Sequence, residues 1–249
     1  MRFVEKGFHM SIGQHLSVGL RTVRSKLGMG SPYGKVFAIG FNKTGTTSLH
    51  EIFGQLGYLS YHGTKWRNTS RPAIYYMYDS FCDGVPDDVP RLDQMFPGSK
   101  FILQVRDLDA WLDSRLEHIL RLPKGKKRDP DWTAEVSSVE KWIKQRNAYH
   151  IEVLNYFKDR PEDLLLINFI RDPASADKIA RFLGHEAAVE KSHANKNPGA
   201  GKTLKNKDMI VSAFSALNIP EDEHKYDIYC PSLPGDHSDD IPADTGMAP

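Results

Sequence analysis

Between residues 40 and 49 the chain reads Gly-Phe-Asn-Lys-Thr-Gly-Thr-Thr-Ser-Leu, a set of residue types suited to holding an anion. Gly40 and Gly45 let a backbone curl round an oxyanion. Thr46, Thr47 and Ser48 add hydroxyl donors, and Lys43 adds a cation. The stretch follows an apolar run, Lys35 to Gly40, and leads into Thr46 to Leu56, where Leu49, Ile52, Phe53 and Leu56 keep helical spacing. A helix starting there points unpaired N–H groups and a partial positive charge at the turn. The glycines are spaced as in the triphosphate loop G-x-x-x-x-G-K-[ST]. However, Thr46 stands where that loop has lysine, and the lysine has moved back to position 43. An ammonium inside the turn can reach a bridging oxygen on which negative charge grows as a bond breaks. Such a contact stabilises the transition state more than the ground state.

The elements that must position this loop can be read from apolar patterning. Lys35–Gly40, Tyr58–His62, Lys100–Arg106 and Leu164–Asn168 read as short strands, the first, third and fourth of them buried. Helices are expected over Thr46–Leu56, Pro72–Phe81, Asp109–Leu122, Ala134–Lys158 and Pro173–Leu183, the first and last closed by Gly57 and Gly184. Strands alternating with helices give the α/β class, with a parallel sheet covered on both faces. Ligands on such sheets bind beyond the carboxyl ends of the strands, so chemistry is sought just after Ile39, Val105 and Ile167. Three regions follow: a helical appendage over 1–34, a domain over 35–218, and an irregular, partly disordered acidic tail over 219–249. The helix near Ile12–Leu27 is read as packing on the domain rather than on a membrane surface.

Composition excludes some classes. The net charge of +1 argues against a nucleic-acid binder working through a global positive field. Five of the eight residues from Arg121 to Arg128 are basic, and Lys191 to Lys207 holds five lysines and no acid. These segments suit anionic ligands or solvated loops. Cys82 and Cys230 form neither a disulfide framework nor a metal-spaced pattern. That usage, and the lack of an apolar signal segment, give a cytoplasmic expectation with no metal required.

The run Lys43-Thr-Gly-Thr-Thr-Ser-Leu49 after an apolar strand resembles the 5′-phosphosulfate loop of sulfotransferases that use 3′-phosphoadenosine-5′-phosphosulfate (PAPS), releasing 3′-phosphoadenosine-5′-phosphate (PAP). Asp79–Pro86 followed by Phe96–Leu103 is similar to a bacterial-type branch, and the likeness extends over about Lys35–Gly184. The resemblance implies a three-layer α/β/α sandwich with a central parallel sheet, the P-loop NTPase-like sulfotransferase fold. It implies donor binding by Asn42, Lys43, Thr44, Gly45, Thr46, Thr47 and Ser48, and a grip on the 3′-phosphate by Arg106 and by Ser114, eight residues on. Many relatives complete that site with a late R-K-G-x-x-G-D-W-K loop. The nearest stretch is Lys196–Lys202, which lacks the arginine and the Asp-Trp, with Lys202 as its candidate ligand.

The family commonly uses a histidine or carboxylate to take the acceptor's proton. Asp83 ranks first, then His62, with Asp79 also open. His50 and His118 read as structural helix residues. The acceptor is a hydroxyl or amine on a small molecule, glycan or lipid. Tyr61, Trp66, Tyr75, Tyr76 and Phe81 either wall its cleft or pack in the core. No nucleic-acid partner is expected, and the oligomeric state is open. A P-loop small-molecule kinase and a non-catalytic nucleotide-binding scaffold remain as alternatives, the kinase disfavoured by the displaced lysine.

Overall fold

The computed structural model describes residues 34–121, 133–186 and 203–233. The expected appendage helix, all but Arg121 of the basic 121–128 segment, and Lys202 lie outside the described residues.

Five strands carry the sheet: β1 (Val36–Ala38), β2 (Ser60–His62), β3 (Ser80–Cys82), β4 (Lys100–Gln104) and β5 (Leu164–Ile167). They lie in the order β2-β3-β1-β4-β5, and every pairing is parallel. Among the described residues six helices connect or flank them: α1 (Thr46–Gln55), α2 (Val89–Met95), α3 (Leu108–Leu120), α4 (Val136–Phe157), α5 (Ser175–Phe182) and α6 (Lys207–Ala216). Alternation along each strand builds two cores. Val36, Ala38 and Ile102 face Leu49, Ile52 and Phe53 of α1 and Ile179 of α5. Phe37, Ile39, Phe101 and Leu103 face Trp66, Tyr75, Leu92, Val153 and Phe157 on the other side. The result is the expected three-layer sandwich. A third apolar cluster joins α3, α4 and α6 beyond the sheet.

Two expectations change. The helix read over Pro72–Phe81 is a single 3₁₀ turn, Pro72–Tyr76, and residues 80–82 form β3 between β2 and β1. β3 follows within four residues of the 3₁₀ turn, so Phe81 reads as the last residue of a helix begun at Pro72. Of the aromatics between β1 and β4, Trp66, Tyr75 and Phe81 are buried around Phe37, so packing claims them. Residues 219–233 hold one 3₁₀ turn, Glu221–Glu223, and pack on the domain. Ile219, Cys230 and Leu233 join the α3–α4–α6 cluster.

β1 is the switch point of the sheet. From it the chain goes to β2 at one edge, returns inward to β3, and then crosses to β4 and β5 on the other side. The crevice above the carboxyl end of β1 is where such sheets bind ligands, and residues 40–48 occupy it.

Candidate active site

The loop from Gly40 to Gly45 is held from outside by four successive carbonyls. Gln104 Nε2 donates to Gly40 O at 3.1 Å. The Thr44 hydroxyl donates to Phe41 O at 2.5 Å. Trp111 Nε1 donates to Asn42 O at 3.0 Å, and Arg106 Nη1 donates to Lys43 O at 3.0 Å. Gln104 also accepts from the Gly40 N–H at 3.0 Å. A Cβ on Gly40 would lie 2.1 Å from Gln104 O, so only glycine fits there. With these carbonyls engaged, the amides after Gly40 can serve the concave side of the turn. Lys43 (φ 70°) and Gly45 (φ 100°) are left-handed, which makes the curl. No side chain caps α1, so the amides of its first turn have no partner within the helix.

The Lys43 side chain is half-buried. Desolvation lowers its pKa first; the nearby Asp83 carboxylate opposes this, while Arg121 and Arg115 reinforce it. Thr46 and Ser48 are buried, and Thr46 Oγ1 lies 3.3 Å from His62 Nε2. Thr44 is turned inward by its bond to Phe41, leaving its backbone as the part that can meet a ligand. The Asn42 Oδ1 atom is buried without a hydrogen-bond partner.

Two of the three candidate bases come to this crevice. His62 ends β2 and is in register with Cys82, so Asp83 stands at the neighbouring strand exit. The His62 pKa is lowered by desolvation, with Asp83 raising it and Arg67 lowering it further. Asp83 is left-handed at φ 97° and lies 3.7 Å from Arg67 Nη2. Asp79, by contrast, precedes β3 at the opposite edge of the sheet. Its carboxylate accepts from the Leu59 N–H at 2.9 Å and is buried there, so it cannot serve as the base. His50 is structural as expected, with Nδ1 2.8 Å from Ser60 Oγ. His118 is half-buried on α3, and its pKa is lowered by desolvation and then by Lys43, which puts it in the field of the loop.

Arg106 leaves β4 beneath the loop. Ser114 is half-buried on α3, about 9 Å further along the helix from its start. The chain resumes at Thr203 beside the same helix: Lys205 pairs with Glu117 at 2.7 Å and the Asn206 N–H donates to Asp113 at 2.9 Å. The residues that sequence reasoning missed are those that act from a distance: Gln104 and Trp111, which hold the loop, and Arg67, which meets Asp83. Gln104 alone left a trace, as a polar residue inside an apolar strand.

A family model described as a sulfotransferase domain matches residues 65–197, just over half of the chain. This chain belongs to the sulfotransferase domain family. The matched span begins after the loop, so the likeness seen at residues 40–49 and the family match rest on different parts of the sequence. No curated protein matches the chain. Membership supports sulfotransfer as the general chemistry of this sulfotransferase domain, on the parallel-sheet fold described above. Among the described residues, no helix is long and apolar enough to cross a membrane.

Proposed function

We propose that this sulfotransferase domain takes its sulfonate from PAPS and passes it in line to a hydroxyl or amine of a small molecule, glycan or lipid. The observation that carries the donor reading is the set of four carbonyls held by hydrogen bonds, which supports a turn whose amides after Gly40 can meet an anion above β1. A phosphosulfate fits such a cradle because its oxygens accept what the amides and the threonine hydroxyls donate. Lys43 supplies positive charge where the departing oxygen gathers negative charge. Desolvation makes that charge count for more than it would in water. Arg106, already bonded to Lys43 O, and Ser114 remain the proposed grip on the 3′-phosphate, with Lys202 joining them from the late loop.

His62 and Asp83 share the task of receiving the acceptor's proton. His62 is neutral near pH 7, because desolvation holds its pKa below the usual histidine value, so it is ready to accept a proton. The two buried free thiols, Cys82 and Cys230, are compatible with a reducing compartment such as the cytoplasm.

Calorimetry tests the donor. PAP is expected to bind without Mg²⁺, and Lys43→Ala or Arg106→Ala to weaken it. Binding of ATP–Mg²⁺ with no response to PAP would favour a kinase instead. For the base, Asp83→Asn and His62→Ala are each expected to keep PAP affinity, while at least one loses about 100-fold in turnover. Full activity in both would remove these residues from the mechanism.

A further inference from the structure

The exit of β3 is held by a side chain with no role so far. Arg67 closes a 3₁₀ turn, Lys65–Arg67, that follows β2. That turn is anchored by its neighbour: the Trp66 indole N–H donates to Cys82 O at 3.0 Å, and the Trp66 carbonyl accepts the Tyr75 hydroxyl. From this base the Arg67 guanidinium meets the Asp83–Gly84 turn in three ways. Its Nε donates to the Asp83 carbonyl at 2.6 Å. Its Nη2 lies 3.7 Å from the Asp83 carboxylate. Its Cζ and Nε lie so close over Gly84 that a Cβ there would meet both at 2.6 Å. The Arg67 carbonyl in turn accepts the Asp87 N–H at 2.9 Å, which closes the loop on itself.

The turn needs such a clamp. Asp83 and Gly84 have φ of 97° and 113°. The left-handed region is costly for a residue with a Cβ and persists only where its surroundings over-determine it. We propose that Arg67 is a positioning residue: it holds the Asp83–Gly84 turn in its left-handed form and so keeps the Asp83 carboxylate at the crevice shared with Lys43 and His62. This rests on the reading that Asp83 and His62 receive the acceptor's proton.

The geometry requires arginine. A guanidinium spreads its donors over separate nitrogens, so Nε holds the Asp83 carbonyl while Nη2 faces the carboxylate; an ammonium gathers its donors on one nitrogen and cannot occupy both positions at once. The clamp also divides charge. Asp83 stands within the field of both Arg67 and Lys43. Held by Arg67, the carboxylate is less able to swing onto Lys43 and neutralise it before an anion arrives. The groups facing His62 are Asp83, Arg67, the Thr46 hydroxyl at 3.3 Å and the His50 ring at 5.7 Å.

The test is a double-mutant cycle of Arg67→Lys and Asp83→Asn in the full chain, read as PAP released from PAPS with water as the basal acceptor. Arg67→Lys is expected to cost about 10-fold in turnover when Asp83 is intact and less than about 2-fold in the Asp83→Asn background, because it acts through that side chain. PAP affinity is expected to stay within about 2-fold of wild type. Gly84→Ala, which pushes the guanidinium away from the other side, is expected to reproduce the loss. A second readout needs no donor: the His62 ring titration by NMR moves to lower pH in Arg67→Lys, which keeps the cation but frees the Asp83 carboxylate that raises it, and does not move when the same change is made in Asp83→Asn. An equal loss in both backgrounds, or an unmoved His62 titration in Arg67→Lys, overturns the proposal. Failure of wild-type PAP binding overturns the donor reading and leaves the NMR result to judge Arg67.

Discussion

Two helices begin at the carboxyl edge of this sheet on either side of the same crevice, and the chain treats their ends in opposite ways. At α1 no side chain caps the first turn, and the preceding loop has its carbonyls fastened elsewhere. At α3 the Leu108 and Asp109 amides donate to Tyr226 O and His224 O at 3.2 and 3.0 Å, so the C-terminal segment fills that end with its own carbonyls. Both ends carry the same partial charge. In the proposed reading the first end receives the donor, while the second is spent on folding. The seal at α3 is extensive. Buried Arg146 donates to Arg106 O at 3.2 Å and also to the carbonyls of Tyr226 and Asp227, while the Asp227 carboxylate accepts from Arg171 at 2.6 Å and from Asn168 at 3.0 Å. Through Arg106, which bonds to Lys43 O, the sealed end supports the open one.

If that division holds, variants at the open end change chemistry and variants at the sealed end change stability. The largest effect is expected from Lys43→Ala: about a 100- to 1,000-fold loss of turnover with little change in melting temperature, measured with PAPS and an acceptor. Next comes Asp227→Asn, which leaves Arg171 and Asn168 poorly matched. It is expected to cost about 1–3 kcal/mol of stability by denaturant titration, with PAP affinity nearly unchanged. A collapse of PAP affinity at constant stability would instead make the C-terminal segment part of the donor site.

Acid should also act first on the sealed end. His150 is buried and donates from Nδ1 to Ile228 O as a neutral ring. Burial, with Arg146 beside it, lowers its pKa to about 3 from the usual 6.5. The unfolded chain therefore binds a proton that the folded chain refuses. Stability is full above pH 6.5 and falls as pH drops from there toward about 3. Melting curves across that window are expected to slope less in His150→Gln. The smallest effect belongs to Glu117→Gln, which removes pairs to the exposed Arg121 and Lys205 at 2.6 and 2.7 Å on the far turns of α3. Surface pairs of this kind contribute about 0–1 kcal/mol, and the change should vanish in high salt.

The sequence by itself determined the parts of this protein that depend on neighbours along the chain. A glycine-bounded turn between an apolar strand and an amphipathic helix, a lysine inside that turn, and four of the five strands follow from spacing alone, because turn geometry and side-chain periodicity are local. Tertiary structure decided what comes together across the sheet. Three-residue β3 carries no readable period, yet its place beside β2 brings Asp83 to His62 and sends Asp79 to the far edge. Gln104, Trp111 and Arg106 reach the loop from more than sixty positions away, and the segment after Ile219 returns to close α3. Such contacts are set by topology and by the need to satisfy buried carbonyls and amides, and no pattern within a single stretch of residues encodes them.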